Sequence, residues 1–579
     1  MRPAPPAVVL TGAGDARRPG GFSRTARRAA AILALVAAVF SVVSLRRYGV
    51  TIDEPALLNA GDRTLFALTH PRAPQALDFD APDPPNFHSL FPRLPDPDDA
   101  KHYPVLPALL AAATDATLGR ALALGTVDGH HLGLALLSIA LLALYTLYAC
   151  RLLGDAAGVA AAIALACFPS AVGHALNDAK DWPCAGLYAL AVLAAGVGLV
   201  ERRPRQLWLA GVFLGLALSC KQNALFAGLT IALAMPFFYR WLYRDRPLEG
   251  RLLAPLLALP YLASAIFFLA WPWLWWRGPA EVAPRFANFV AFARAFGFNS
   301  RTTFSAHSLR CLATMTPPLL LVAAALGAWP GRASTPTRRA TGALLLLWLA
   351  VPLARVALPH AGFYDANRHF IEYIPALCAL GGLGFAETWR RLWPRLQGRL
   401  GARGAAGARV LAIAVAAGAL VWPVAQYHPF ETAYFNVLVG GLGGAQRRGL
   451  FRAPPPDVFV NGTEGDYWQS SLREGFRAAQ AWGPPGATVG ICAWLPALAT
   501  IDAGGSGPPV TREVESPEVA IVYASPREPR CSWSRLRALE RARPLLARVT
   551  RGGGLIYEIL GPREGVPHAA VSPPTAYDP

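Results

Sequence analysis

Residues 177–205 read NDAKDWPCAGLYALAVLAAGVGLVERRPR. From Cys184 to Val200 no side chain is charged, and no polar face interrupts the run. A helix of that length covers roughly 25 Å at 1.5 Å per residue, close to the ~30 Å of bilayer hydrocarbon. One end closes on Asn177, Asp178, Lys180 and Asp181, the other on Arg202, Arg203 and Arg205. That asymmetry is the mark of a membrane span whose arginines stay in the cytoplasm.

The pattern recurs along the chain. Of 579 residues, 54% are hydrophobic and 16% charged, against about 25% charged in soluble domains. With the N-terminus inside, the chain threads through about eleven spans. They fall near 29–45, 128–149, 155–174, 184–200, 206–219, 224–239, 252–275, 313–331, 340–358, 370–386 and 409–425. Inside loops carry the arginines, as at Arg240–Arg251 and at Arg390, Arg391, Arg395, Arg399 and Arg403. The net charge of +18 is therefore a topology signal. No nucleic-acid motif accompanies it, and nucleic acid is not an expected partner. The first apolar run ends in Ser44-Leu45-Arg46-Arg47-Tyr48 without a small-residue cleavage site, so it reads as an uncleaved span.

The expected class is a multi-pass α-helical membrane protein with a small α/β domain outside the cytoplasm. Residues 1–28 read as a disordered basic cytoplasmic tail, 29–425 as the bundle with an acidic outside loop at 46–127, 426–562 as the outside domain and 563–579 as a tail. In the loop, Pro55–Leu68 and Val105–Leu118 have helical periodicity and suit the membrane surface. In the domain, Asp457–Val460, Thr488–Ala493 and Glu518–Ala524 read as strands and Ser471–Trp482 and Ser532–Arg541 as helices. Leu545–Thr550 and Leu555–Leu560 flank Gly552-Gly553-Gly554 as a hairpin. Cys492 and Cys531 are positioned to pair if the domain is outside, although sequence alone does not bring them together.

Only three of the 54 basic residues are lysine: Lys101, Lys180 and Lys221. The threading puts all three on the outer face, each beside acidic or amide groups. The predicted fifth span is short, which sets Lys221 below the outer surface, where a charge is costly and usually functional. Four outside segments concentrate ionisable groups: Thr51–Pro55, Asn177–Pro183, Lys221–Asn223 and Phe363–His369. Together they offer carboxylates to take a proton and cations to hold an anion. That set suits group transfer from a phosphate-linked donor with a lipid tail. Each segment also has a structural reading: Asp53-Glu54-Pro55 as a helix start, Lys180 with Asp178 and Asp181 as an ion pair, Lys221 as a snorkelling lysine, Arg368 as a topology anchor. A transporter or flippase using the same charges, and a non-catalytic assembly protein acting through its outside domain, are the alternatives. No internal repeat of the transporter kind is visible.

Thr51-Ile52-Asp53-Glu54-Pro55 with Tyr103-Pro104-Val105-Leu106-Pro107 resembles the first outside loop of the glycosyltransferase C superfamily. Asn177–Pro183 is similar to that group's second acidic motif, and Gly215–Lys221 to its Gly-Leu-Ala…Lys segment. Tyr427–Asn436, Gly440–Ala445, Asp466-Tyr467-Trp468 and Ser471–Glu474 resemble bacterial lipid-carrier-dependent enzymes of the protein O-mannosyltransferase and aminoarabinose transferase type. Gln469 departs from the glycine expected after the aromatic pair, and Lys221-Gln222-Asn223 lacks the usual aromatic after lysine.

The resemblance implies an inverting transfer of a monosaccharide from a polyprenyl-phosphate donor to a glycan, lipid or protein acceptor. It implies the bacterial inner membrane, with the site and the C-terminal domain on the periplasmic side. Asp53 is then the general base with Glu54 beside it. Asp178 and Asp181 orient the acceptor or base, and Lys180, Lys221 and Arg368 hold the donor phosphate. His102 and Tyr103 line the acceptor path next to Lys101, and Phe435–Ala445 joins bundle to domain. No cofactor is required, and a divalent metal among the carboxylates stays open because no ligand spacing demands it.

Overall fold

The structure is a computed structural model and describes residues 21–92, 102–245, 247–297, 301–329, 334–452, 463–482, 486–493, 495–505, 509–523 and 531–562. Among the described residues, seven helices are long and apolar enough to cross a membrane: Arg24–Ser44, Thr126–Leu153, Asp181–Val200, Gln222–Tyr243, Gly250–Leu269, Pro336–Ala357 and Tyr373–Tyr427. The bent pair His307–Thr314 and Pro318–Ala328 makes eight if it is one span. The other expected spans fall on the shorter helices Asp155–Ala166 and Pro204–Leu218.

Proline explains two breaks. The residue before a proline is driven out of the helical region. Phe168 (ψ 117°) ends one helix before Pro169, and Pro317 (ψ 129°) begins another at Pro318. The second break turns the chain by 112°. Between residues 387 and 408 the sequence reading has a loop. The structure has helix on both sides of a single non-helical break at Gly401 (φ 67°, ψ 175°), so Tyr373–Tyr427 is two helices joined there, and the two expected spans fall one on each side. Glu387 holds Arg390 and Arg391 one turn on, at 2.8 and 2.7 Å, which keeps that basic stretch helical.

Helix Asp181–Val200 is the centre of the bundle, buried along nearly its whole length. Its glycines permit this. A Cβ on Gly186 would meet Leu141 at 2.7 Å, and one on Gly198 would meet Leu207 at 2.7 Å. Small residues are how membrane helices approach closely. By contrast Ile32, Leu35, Val39, Val42 and Val43 of the first helix are exposed, a lipid-facing edge.

Helices Glu54–Thr69 and Leu106–Thr114 fall where the pair of helices was expected and pack together at Gly61 and Ala108. The C-terminal domain is a five-stranded sheet of β1 (Val489–Cys492), β2 (Val510–Thr511), β3 (Val519–Val522), β4 (Leu545–Arg551) and β5 (Gly554–Leu560). Its order is β2-β1-β3-β5-β4. β1 runs parallel to β2 and β3, while β5 is antiparallel to β3 and to β4. The β4–β5 turn sets Gly552 and Gly553 at φ 51° and 70°, which side chains resist. Helices Leu472–Trp482 and Trp533–Ala542 match the expected ones. The strand expected at Asp457–Val460 lies outside the described residues. Cys492 and Cys531 are disulfide-bonded. As expected, the glycine-rich segment after Tyr427 docks the domain: Gly443 N–H donates to Gly552 O at 3.1 Å, and Leu442 N–H to the Tyr427 hydroxyl at 3.0 Å.

Candidate active site

Four chain segments meet at one end of the bundle helices. Asp53 lies at the N-terminus of helix Glu54–Thr69, where Pro55 suits the first turn. Lys180 and Asp181 start helix Asp181–Val200. Lys221 follows helix Pro204–Leu218, and Arg368 lies just before helix Tyr373–Tyr427. Their side chains form one ion-pair network. Lys180 Nζ donates to Asp53 Oδ2 at 2.9 Å, and Arg368 Nη1 donates to the same oxygen. Arg368 Nη2 donates to Asp365 Oδ2 at 2.6 Å, and its Nη1 reaches Asp181 Oδ2 at 3.4 Å. Lys221 Nζ pairs with Asp181 Oδ1.

Three cations face three carboxylates, so the formal charges cancel. Burial this deep is tolerated only because each charge is paired. Asp53 differs from its partners in access. Its side chain is 23% exposed, against 7% for Lys180 and 1% for Arg368. Burial acts to raise the Asp53 carboxyl, but Arg368 and Lys180 outweigh it and hold Asp53 well below the usual carboxylate range. Aromatic faces enclose the cations: Lys180 Nζ lies 4.1 Å from the Tyr103 ring centre, and the Arg368 guanidinium 5.0 Å from Trp468 and 5.5 Å from Tyr364. Arg368 Nε, His369 Nε2 and Trp468 Nε1 are buried with no hydrogen-bond partner among the described residues.

The structure thus brings Asp53, Lys180, Asp181, Lys221 and Arg368 together, with Tyr103 against Lys180. His102 stacks on Phe292 with ring centres 4.2 Å apart, one step behind Tyr103. Lys101 lies outside the described residues. Two expectations are corrected. Glu54 does not stand beside Asp53: it is 1% exposed and points away, accepting from Thr51 N–H at 2.7 Å and lying 3.1 Å from His131 Nε2. Neighbours on a helix project about 100° apart, so only one of the two can face the cluster. Asp178, expected to orient the acceptor or base, has its carboxylate engaged at the start of helix Asp181–Val200. Its carboxylate accepts from the backbone of Lys180, Asp181 and Trp182 at 2.9, 2.7 and 3.0 Å, and His174 Nδ1 lies 2.8 Å away.

The sequence reading gave no role to Asp365 or Trp468. Both lie in stretches it singled out, Phe363–His369 and Asp466-Tyr467-Trp468, and that clustering was the available signal. Among the described residues no group of three or more His, Cys, Asp and Glu could hold a metal ion.

Comparison with known proteins comes from sequence and from structure. Residues 116–276 match the family described as dolichyl-phosphate-mannose-protein mannosyltransferase, a segment that contains Lys180, Asp181 and Lys221. Among solved structures the chain is similar to ArnT from Cupriavidus metallidurans bound to undecaprenyl phosphate. That match has 17% identity and a TM-score of 0.48, covering 92% of this chain and 97% of that one. It is also similar to the archaeal oligosaccharyltransferase AglB from Archaeoglobus fulgidus in complex with an inhibitory peptide and a dolichol-phosphate. There the identity is 13% and the TM-score 0.40, over 83% of this chain and 64% of that one. No curated protein matches the chain.

Proposed function

We propose that this chain, a glycosyltransferase C-type membrane protein by the match over residues 116–276, transfers a monosaccharide from a polyprenyl-phosphate donor to an acceptor hydroxyl. The reaction takes place at the outer face of the membrane. The observation that carries the proposal is the buried Asp53–Lys180–Arg368–Asp181–Lys221 network, a set of cations poised to exchange carboxylate partners for phosphate oxygens.

The network gives a rationale for the order of events. With Lys180 and Arg368 on its carboxylate, Asp53 is a weak base. A donor phosphate competes for the same two cations. As they turn to the phosphate, Asp53 regains basicity and is free to accept the acceptor's proton. The acceptor oxygen then bonds to the anomeric carbon from the side opposite the phosphate. The carbon–oxygen bond to the phosphate breaks, and its electron pair leaves with the polyprenyl phosphate. Lys180, Lys221 and Arg368 stabilise the charge that develops there. The configuration inverts in one displacement. Arg368 Nε, His369 Nε2 and Trp468 Nε1, which have no hydrogen-bond partner among the described residues, supply further hydrogen-bonding capacity for donor oxygens.

The Cys492–Cys531 disulfide supports an oxidising compartment for the C-terminal domain, hence an outward-facing site and a cytoplasmic N-terminus. The donor sugar and the acceptor class, whether glycan, lipid or protein, are the variables of the test. Purified protein in lipid is supplied with a panel of polyprenyl-phosphate monosaccharides and membrane extract. Transfer from at least one donor is expected. Movement of a donor across sealed vesicles without any transfer would favour a flippase instead.

A further inference from the structure

Five residues lead into Asp53, and the C-terminal part of the chain grips almost all of them. The Tyr48 hydroxyl donates to Glu431 Oε2 at 2.7 Å, and Tyr48 O accepts from Arg473 Nη1 at 3.0 Å. Gly49 N–H donates to Ser470 O at 3.1 Å, and Ile52 N–H to Trp468 O at 3.3 Å. Val50 N–H donates to the Asp502 carboxyl, 3.1 and 3.3 Å from its two oxygens. Arg473 lies 2.7 Å from Asp128 Oδ1 and 3.8 Å from Asp502 Oδ1, tying the clamp to helix Thr126–Leu153. Gly49 sits so close that an added Cβ would lie 2.4 Å from Ser470 O and 2.9 Å from Asp502 Oδ2. Asp502 and Arg473 are buried, and neither belongs to the cation network around Asp53.

This backbone has no regular secondary structure of its own to satisfy it. Buried N–H groups need partners, and here the outside domain supplies them. We propose that Asp502 and Arg473 are positioning residues for Asp53, so that the transfer site is complete only with the C-terminal domain docked on residues 48–52. The inference rests on the transfer reading above for its catalytic consequence, but its structural half stands apart. Displacing a reacting group by about 1 Å costs on the order of 100-fold in rate. Phosphate binding runs through Lys180, Lys221 and Arg368 and does not need Asp502.

The test uses the full-length protein in lipid. Hydrogen exchange of peptides covering residues 48–52, single-turnover transfer and binding of polyprenyl monophosphate are compared for wild type, Asp502→Ala and Asp502→Asn. Burial, opposed in part by Arg473, leaves Asp502 raised to about 8, so asparagine is a near-isostere at neutral pH and retains an oxygen for Val50 N–H. Expected for Asp502→Ala are exchange at least about tenfold faster and transfer slower by about 10- to 100-fold. Polyprenyl phosphate binding should stay within about threefold of wild type, a split that general destabilisation does not produce. Asp502→Asn should stay near wild type throughout, which also answers a folding failure of the alanine variant. Unchanged exchange in Asp502→Ala overturns the clamp. Equal loss of binding and rate, or an asparagine variant as damaged as alanine, overturns the positioning role. If wild type transfers no sugar from any donor, the transfer reading fails while the exchange measurement still judges the clamp.

Discussion

Arg368 binds Asp53, Asp181 and Asp365 with one guanidinium, which a lysine ammonium does not match in geometry. Arg368→Ala removes the cation that three carboxylates share and leaves Asp53 with Lys180 and Asp181 with Lys221, in a site that burial makes unforgiving. A loss of about 3–5 kcal/mol is expected, seen as a fall in the thermal midpoint in detergent. Arg368→Lys should keep much of the stability and lose most of the donor affinity. At this scale the sequence was informative where residues are scarce. Three lysines in 579 residues drew attention to the outer face, and two of them lie in the network. It was uninformative about direction: Asp53 and Glu54 are equally acidic on paper, and only the turn of the helix separates them. Asp178 shows the opposite, because an aspartate three residues before Asp181 is a readable capping signal that the charge pattern hid.

Elements with a strong local signal appear where expected, including helices Glu54–Thr69 and Leu106–Thr114, the β4–β5 hairpin and helix Leu472–Trp482. Those with competing signals do not. Arginines at 390–403 read as a loop, yet the chain leaves the helix there only at Gly401, because arginine is a good helix former and Glu387 pairs with two of them. The disulfide is the element-scale test of the domain. It closes a separation of 39 residues, so Cys492→Ala with Cys531→Ala should destabilise the domain by about 2–4 kcal/mol. Denaturant unfolding followed by tryptophan fluorescence, with and without reductant, measures this. Close helix approach gives a second test. A Cβ on Gly384 would lie 1.8 Å from Ala323 O, so Gly384→Leu should collapse the yield of folded protein, read by size-exclusion chromatography.

The contacts that join bundle and domain cross the whole chain, Tyr48 to Arg473 and Val50 to Asp502. No periodicity or spacing foretells a pairing so distant in sequence, and this is why the clamp was invisible before the fold was known. It leaves a signature in pH. An unfolded aspartate titrates near 3.8, while burial, opposed in part by Arg473, raises Asp502 to about 8. The folded state therefore binds the extra proton between those values. Its contribution to stability is complete below about pH 4 and is lost as pH rises to about 8. Thermal midpoints across that range should fall less steeply in Asp502→Asn. Asp53 acts in the opposite sense: its depressed value favours folding above its unfolded range and is lost on acidification. Topology is testable on the same molecule. A cysteine replacing exposed Leu438 should react with an impermeant maleimide from outside intact cells, and one replacing exposed Leu392 only after lysis.

The central claim is that Asp53 takes the acceptor's proton while the cations hold the phosphate. The most direct measurement is single-turnover transfer by purified Asp53→Asn loaded with a polyprenyl-phosphate sugar that wild type uses. The account predicts donor binding within a few-fold of wild type and transfer slower by about 10²- to 10⁴-fold. Transfer at the wild-type rate from the loaded variant would contradict it.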